Sequence, residues 1–348
     1  MDRVGSAAQV VQDCAGVFDD CARRLQGAAL ADLGATRARR VLAMLEIVMA
    51  TAERHAPGHG MFATPAASEL LSGLAALACH PPRGSHVSQW LDSWAPDLIV
   101  YTPMPAERVF CELVRRCSET LTGMCDFGFD LASGAADPAD PDLCRHLDAI
   151  SHEVHDLRRD FARFRSPDAT GADSAHLWFL HFRQYLAPLD LCGTRVLGPN
   201  PAFVASWPAA DILFGLADET YLADTRERFT GYLPEDIALI ERAMASPTVP
   251  DALRAGQAPE TLLDAYRRAV RALQSLSGRH WAAIEEHLVD ASARLADDSR
   301  LGKALSSEAG VSGRALEKTW ARLASRRGDN PARRATLEWG RSSHRSQK

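Results

Sequence analysis

The sequence predicts an all-α fold, and three observations predict it. Residues 264–288 read as one long amphipathic helix, because Leu273, Leu276, His280, Ile284 and Leu288 recur at spacings of three and four and share a face. No stretch alternates apolar and polar residues over the length of a strand. Proline and glycine punctuate the chain at helical intervals, as where Pro105 opens a periodic run at the first turn, the one turn of a helix that tolerates it. There is no internal repeat and no run of coiled-coil heptads.

Bulk properties narrow the class. A chain of 348 residues, 46% hydrophobic and 24% charged, is ordinary for a globular protein and long enough to bury a ligand-sized cavity. A net charge of -6 argues against a nucleic-acid-binding body, which would carry a basic patch. The eight cysteines form no C-x-x-C pair, so neither a zinc knuckle nor a redox motif is visible, and a reduced, cytoplasmic protein is expected. The N-terminus lacks the apolar core of a signal peptide. The most apolar run, 41–52, is interrupted by Glu46 and is too short to span a bilayer, so no membrane partner is expected.

Taken in order, residues 5–30 and 35–55 read as two helices separated near Gly34. Arg-His-Ala-Pro-Gly-His-Gly at 54–60 is a loop that carries His55 and His59, residues that serve as acid–base groups or, more often, are merely exposed. A helix over 64–79 follows, then a short helix near 86–95 and an extended piece at 97–101. The Pro105 helix runs to Leu131, and an Asp/Pro/Ala-rich linker at 134–141 precedes a helix at 141–165. His152 and His155 share a face of that helix, but the chain has no Glu-x-x-His unit of the kind a di-iron bundle needs, so a solvated, charge-laced face is expected.

Residues 174–186 are unusually aromatic, with Trp178, Phe179, Phe182 and Tyr185 around Arg183. That composition suits a pocket wall or a core helix. An arginine buried there requires an anion, and its planar fork suits a carboxylate. A glycine- and proline-rich loop then opens a short apolar helix, 207–214, that ends at Gly215. A helix pair is expected at 219–246 and 258–293, broken around Pro247 and Pro250, and a last helix at 313–325. The sequence divides into an N-terminal helical region, 1–135, a helical domain, 136–325, and a basic tail, 326–348, that is expected to be disordered.

His280 is the polar member of an otherwise apolar face. A histidine aimed into a core needs a partner for its ring nitrogens, since an unpaired buried polar group costs about 1–3 kcal/mol. A carbonyl, a carboxylate or a metal would serve.

From 174 onward, the order of features resembles the haem-dependent tryptophan-oxidising superfamily of indoleamine and tryptophan 2,3-dioxygenases, in the form of its biosynthetic, chlorotryptophan-rearranging members. Four motifs carry the resemblance: Trp178-Phe179 followed by Arg183-Gln184-Tyr185-Leu186; Asp211-Ile212-Leu213-Phe214-Gly215; Ala272-Leu273-Gln274-Ser275-Leu276 leading to His280; and Gly310-Val311-Ser312-Gly313. They span about half the chain. Val311 stands where the family loop has threonine and Arg314 follows its second glycine, so recognition of the amino-acid headgroup is expected to differ.

The resemblance implies a helical bundle enclosing b-type haem (heme b), with His280 as the axial ligand of the iron and Asn200, Ser206 and Arg279 also holding the cofactor. It implies an aromatic amino-acid substrate and O2. Arg183 would orient the substrate carboxylate, Trp178, Phe179, Phe110 and Leu113 would line the ring pocket, and Gly310, Val311, Ser312, Gly313 and Arg314 would close over the headgroup. His55 is a candidate distal base. Oxidation at the indole C2–C3 bond of tryptophan or a modified tryptophan, in specialised-metabolite biosynthesis, is the expected activity; insertion of one oxygen atom, of two, and ring rearrangement stay open. An external electron donor and a homo-oligomer are compatible with it. The alternatives are a tyrosine or methyltyrosine hydroxylase, a non-catalytic haem-binding protein, and a cofactor-free helical interaction protein with His280 in its core.

Overall fold

The computed structural model describes residues 7–25, 27–56, 64–80, 100–164, 185, 189–191, 194–196 and 204–284. The expected helices near 86–95 and 313–325, the basic tail, and the aromatic segment apart from Tyr185 lie outside the described residues. So do Asn200, Arg183, Trp178, Phe179 and 310–314.

The fold is all-α. Its elements are α1 (Ala7–Arg24), α2 (Ala28–Ala31), α3 (Ala35–His55), α4 (Pro65–Ala78), α5 (Pro105–Ala132), α6 (Pro141–Phe164), α7 (Ser206–Leu213), α8 (Glu219–Glu227), α9 (Pro234–Ala245), α10 (Val249–Ala255) and α11 (Glu260–Ile284). Between α6 and α7, Leu189–Leu191 (β1) and Thr194–Val196 (β2) pair antiparallel, Asp190 opposite Arg195. Strands of three residues are shorter than the window in which alternation can be read from a sequence. No described helix is long and apolar enough to cross a membrane.

Local chemistry sets the helix boundaries. Thr64 accepts a hydrogen bond from the Ala67 amide and Pro65 occupies the first turn of α4, while Cys79 ends it in the left-handed region at φ 48°. Asp218 caps α8 through the Tyr221 amide, and Thr248 caps α10 through Asp251. Pro105 opens α5 as expected. Three expectations are corrected. The run 219–246 is not one helix: a 3-10 turn at Phe229–Gly231 and Pro234, which has no amide hydrogen to continue a helix but fits a first turn, restart it as α9. The proline-flanked stretch after 246 is not merely a break, because Pro250 lies in the first turn of α10. Similarly, α1 stops at Arg24, ahead of Gly27 at φ +56°.

Among the described residues the apolar core forms two clusters. In the first, α1, α3 and α4 pack together around Phe18, Leu42, Leu45, Met49, Leu71 and Leu74. The second joins α5, α6, α7, α9, α10 and α11 around Phe127, Leu147, Leu213, Phe214, Tyr266 and Leu276.

Candidate functional site

His280 lies toward the C-terminal end of α11, and the packing of four helices determines what surrounds it. Helix α6 runs parallel to α11. Asp148 is bound bidentately by Arg268 at 2.8 and 3.0 Å, Arg158 donates to the Ser275 hydroxyl at 3.2 Å, and the Phe161 ring lies 5.8 Å from the His280 imidazole. Helix α7 runs antiparallel to α11. At one end the Tyr266 hydroxyl donates to the Phe214 carbonyl at 2.8 Å, and at the other the Trp207 indole lies 5.3 Å from His280. Helix α5 runs parallel to α7, with Ser118 beside Ser206 and Gly128 against Leu213. It is antiparallel to α6 and tied to it by the Arg116–Asp160 ion pair and the edge-on contact of Phe127 with His146.

This register places His280, Phe110 and Leu113 at one end of the bundle. The half-buried imidazole of His280 sits against two aromatic rings from two other helices. Phe110 and Leu113, both buried, lie on the stretch of α5 between Arg116 and the helix N-terminus, and therefore at the His280 end.

Other expectations fare differently. Ser206, expected on the cofactor, is buried at the start of α7 and donates its hydroxyl to the Ser118 carbonyl at 3.2 Å, which commits its proton within the bundle. Arg279 is exposed. His55, half-buried, ends α3; its neighbour Arg54 lies over the ring of Tyr185, at the end of the segment that carries Arg183. His152 and His155 are exposed on α6, His152 facing the Asp148 carbonyl of its own helix.

The Asp211-to-Gly215 motif turns out to be a helix stop. Leu216 donates to the Asp211 carbonyl at 2.7 Å and Gly215 to that of Ile212 at 3.0 Å, the paired bonds of a Schellman ending, and Gly215 holds the φ of +70° it requires. Asp211 itself is buried and accepts the Tyr221 hydroxyl at 2.9 Å. That bond anchors the helix that presents Trp207 to His280.

The described cysteines are free thiols. Burial pushes Cys117 up to about 12, and Cys111 and Cys125 are raised well above the usual thiol range by the same cause, so this face of α5 is uncharged packing.

The donor set can be tested against a cofactor. Among the described residues no three or more His, Cys, Asp or Glu side chains are grouped to hold a metal ion. A single imidazole suits a metal whose other ligands come with it, as in a porphyrin, and the two aromatic rings beside it are apolar neighbours of the kind a macrocycle packs against. His280, Trp207 and Phe161 fit that requirement; Ser206, with its proton engaged, does not add to it.

Sequence reasoning missed Trp207 and Phe161 as neighbours of His280. It also missed a buried polar joint of Glu46, Tyr101 and Glu107, for which Glu46 within an apolar helical run was the available signal.

The chain matches no protein-family model and no curated protein.

Proposed function

We propose that the chain is a haem-dependent oxygenase that acts on tryptophan or a modified tryptophan, in the cytoplasm, within specialised-metabolite biosynthesis. One observation carries the reading: the histidine singled out by the motif order lies against Trp207 and Phe161, at the end of the bundle where Phe110 and Leu113 also lie. Bound haem would supply O2 activation at its iron. The chain's residues would hold and orient the reactants. His280 would hold the iron through a neutral ring nitrogen, and Phe110 and Leu113 would exclude water from the indole. Arg183 would grip the substrate carboxylate through its planar fork. Residues 310–314 would present backbone amides and the Ser312 hydroxyl to the headgroup. His55 would act as distal base.

The test is the optical spectrum of protein purified from haem-supplied cells, ferric and ferrous, before and after L-tryptophan. A Soret band that shifts with tryptophan supports cofactor and substrate class together. A band indifferent to tryptophan but shifted by tyrosine supports the hydroxylase reading, and one indifferent to both a haem-binding protein without catalysis. The same two ring contacts also suit a packing histidine in a cofactor-free helical protein, and absence of a Soret band would favour that reading.

A further inference from the structure

Helix α3 has two buried faces. One, with Leu42, Leu45 and Met49, belongs to the first apolar cluster. The second follows at spacings of three and four, Ala43, Glu46, Ala50 and Arg54, and its two buried alanines belong to neither cluster. Glu46 is 2% exposed and accepts the Tyr101 hydroxyl at 3.0 Å. Two turns on, the Arg54 guanidinium lies 4.6 Å from the centre of the Tyr185 ring, which in turn lies 5.2 Å from the Tyr101 ring.

Tyr101 belongs to the other body. The Glu107 carboxylate, 1% exposed in the first turn of α5, accepts the Tyr101 amide at 2.7 Å and the Thr102 amide and hydroxyl at 2.6 and 2.7 Å. The loop ahead of α5 is thereby clamped to the second cluster, and its tyrosine reaches across to α3. Among the described residues, a buried carboxylate bonded to a tyrosine hydroxyl links the first cluster to the loop ahead of α5, a cation lies over a ring beside it, and α3 also packs against β1. Parting the two clusters would leave both apolar cores intact and return Glu46 to water, recovering the solvation that burial denies a carboxylate.

We infer that the α1–α3–α4 unit is a cover that opens as one body at the Glu46–Tyr101 joint and admits a planar aromatic ligand to the His280 end of the bundle. Glu107 fixes the stationary side, and the opening carries Arg54 and His55 away from Tyr185. The ligand-admitting role rests on the reading given above; the opening itself does not.

The experiment labels thiols in the full-length chain and reads each site by peptide mass. Ala50→Cys puts a reporter on the second face of α3, while native Cys14 reports unfolding of the first cluster and native Cys117 that of the bundle. Adding Tyr101→Phe, which removes only the hydroxyl, should speed labelling at position 50 about tenfold, the loss expected of one hydrogen bond to a buried carboxylate, with Cys14 and Cys117 unchanged. Ala43→Cys reads the same face should Ala50→Cys fail to fold. Labelling at the reporter that stays as slow as at Cys117, or acceleration of all three sites together, overturns the cover. Uptake of hemin by the cofactor-free chain, followed by stopped-flow absorbance, should quicken in Tyr101→Phe. Unchanged uptake beside faster labelling overturns the admitting role. A chain that binds no hemin in any form overturns the haem reading, and the labelling alone then decides the joint.

Discussion

The indole of Trp207 lies 5.3 Å from the imidazole of His280, the rings tilted by 42°, so the first turn of α7 forms one wall of the space around the histidine. Trp207 is 8% exposed. Its large apolar surface is therefore a packing element as well as a neighbour of the site.

Trp207→Ala should destabilise the fold by about 3–5 kcal/mol, the usual cost of truncating a buried aromatic, and Trp207→Phe by clearly less. Urea denaturation followed by far-ultraviolet circular dichroism measures both. Equal stability of Trp207→Ala and the parent would mean that the ring contributes no packing.

If the proposed reading holds, His280→Ala should abolish haem retention, because it removes the ring nitrogen that would bind the iron and leaves Trp207 and Phe161 in place. Far-ultraviolet circular dichroism establishes that the variant is folded, and the Soret absorbance per protein reads its haem content. Full occupancy in a folded variant would refute the ligand assignment.

Tyr266→Phe should cost about 1–3 kcal/mol. The hydroxyl is fully enclosed and donates to the Phe214 carbonyl at 2.8 Å, so the variant leaves that buried carbonyl without this donor. The bond pins the end of α7 that lies away from His280. A denaturation midpoint equal to that of the parent would contradict the accounting.

Asp236 makes stability pH-dependent in an unusual direction. Burial raises its carboxyl from 3.8 to about 6 against the hydrogen bond from the Leu233 amide, with Glu235 adding a smaller upward push. The folded state therefore holds this proton more tightly than the unfolded chain. Its contribution is fully present below the unfolded value of 3.8 and is lost as the pH rises through about 6. Asp236→Asn keeps an acceptor for the Leu233 amide and removes the charge. Its stability at pH 7, relative to pH 4, should exceed that of the parent on the same comparison. Parallel pH profiles for the two proteins would show that Asp236 does not titrate in this range.

Much of the helical framework was legible because its signals are local. Pro105 and the three-and-four spacing along α11 act within a few residues, and the structure follows them. The expectation of one helix over 219–246 fails because its apolar spacing continues across the break, while Pro234 marks the restart with a single residue. His280 stood out as a polar residue on an apolar face. Its neighbours Phe161 and Trp207 did not, since aromatic residues on helices are ordinary core material until the packing says what they touch. In the sequence Glu46 is only an interruption of an apolar run. The same residue is the centre of the joint between two cores, because its partner Tyr101 comes from a loop 55 residues away in sequence.

By itself the sequence determined that the fold is all-α, where α3 to α7 begin and end to within a residue or so, and which face of α11 is apolar. Periodicity, prolines and caps are short-range effects written in consecutive residues. Only the tertiary structure decided which faces meet. Burial of apolar surface is non-directional, so an apolar stripe states that it will be covered and not by what. The parallel run of α6 beside α11, the placing of Trp207 against His280 and the second, polar face of α3 all followed from that choice of partners.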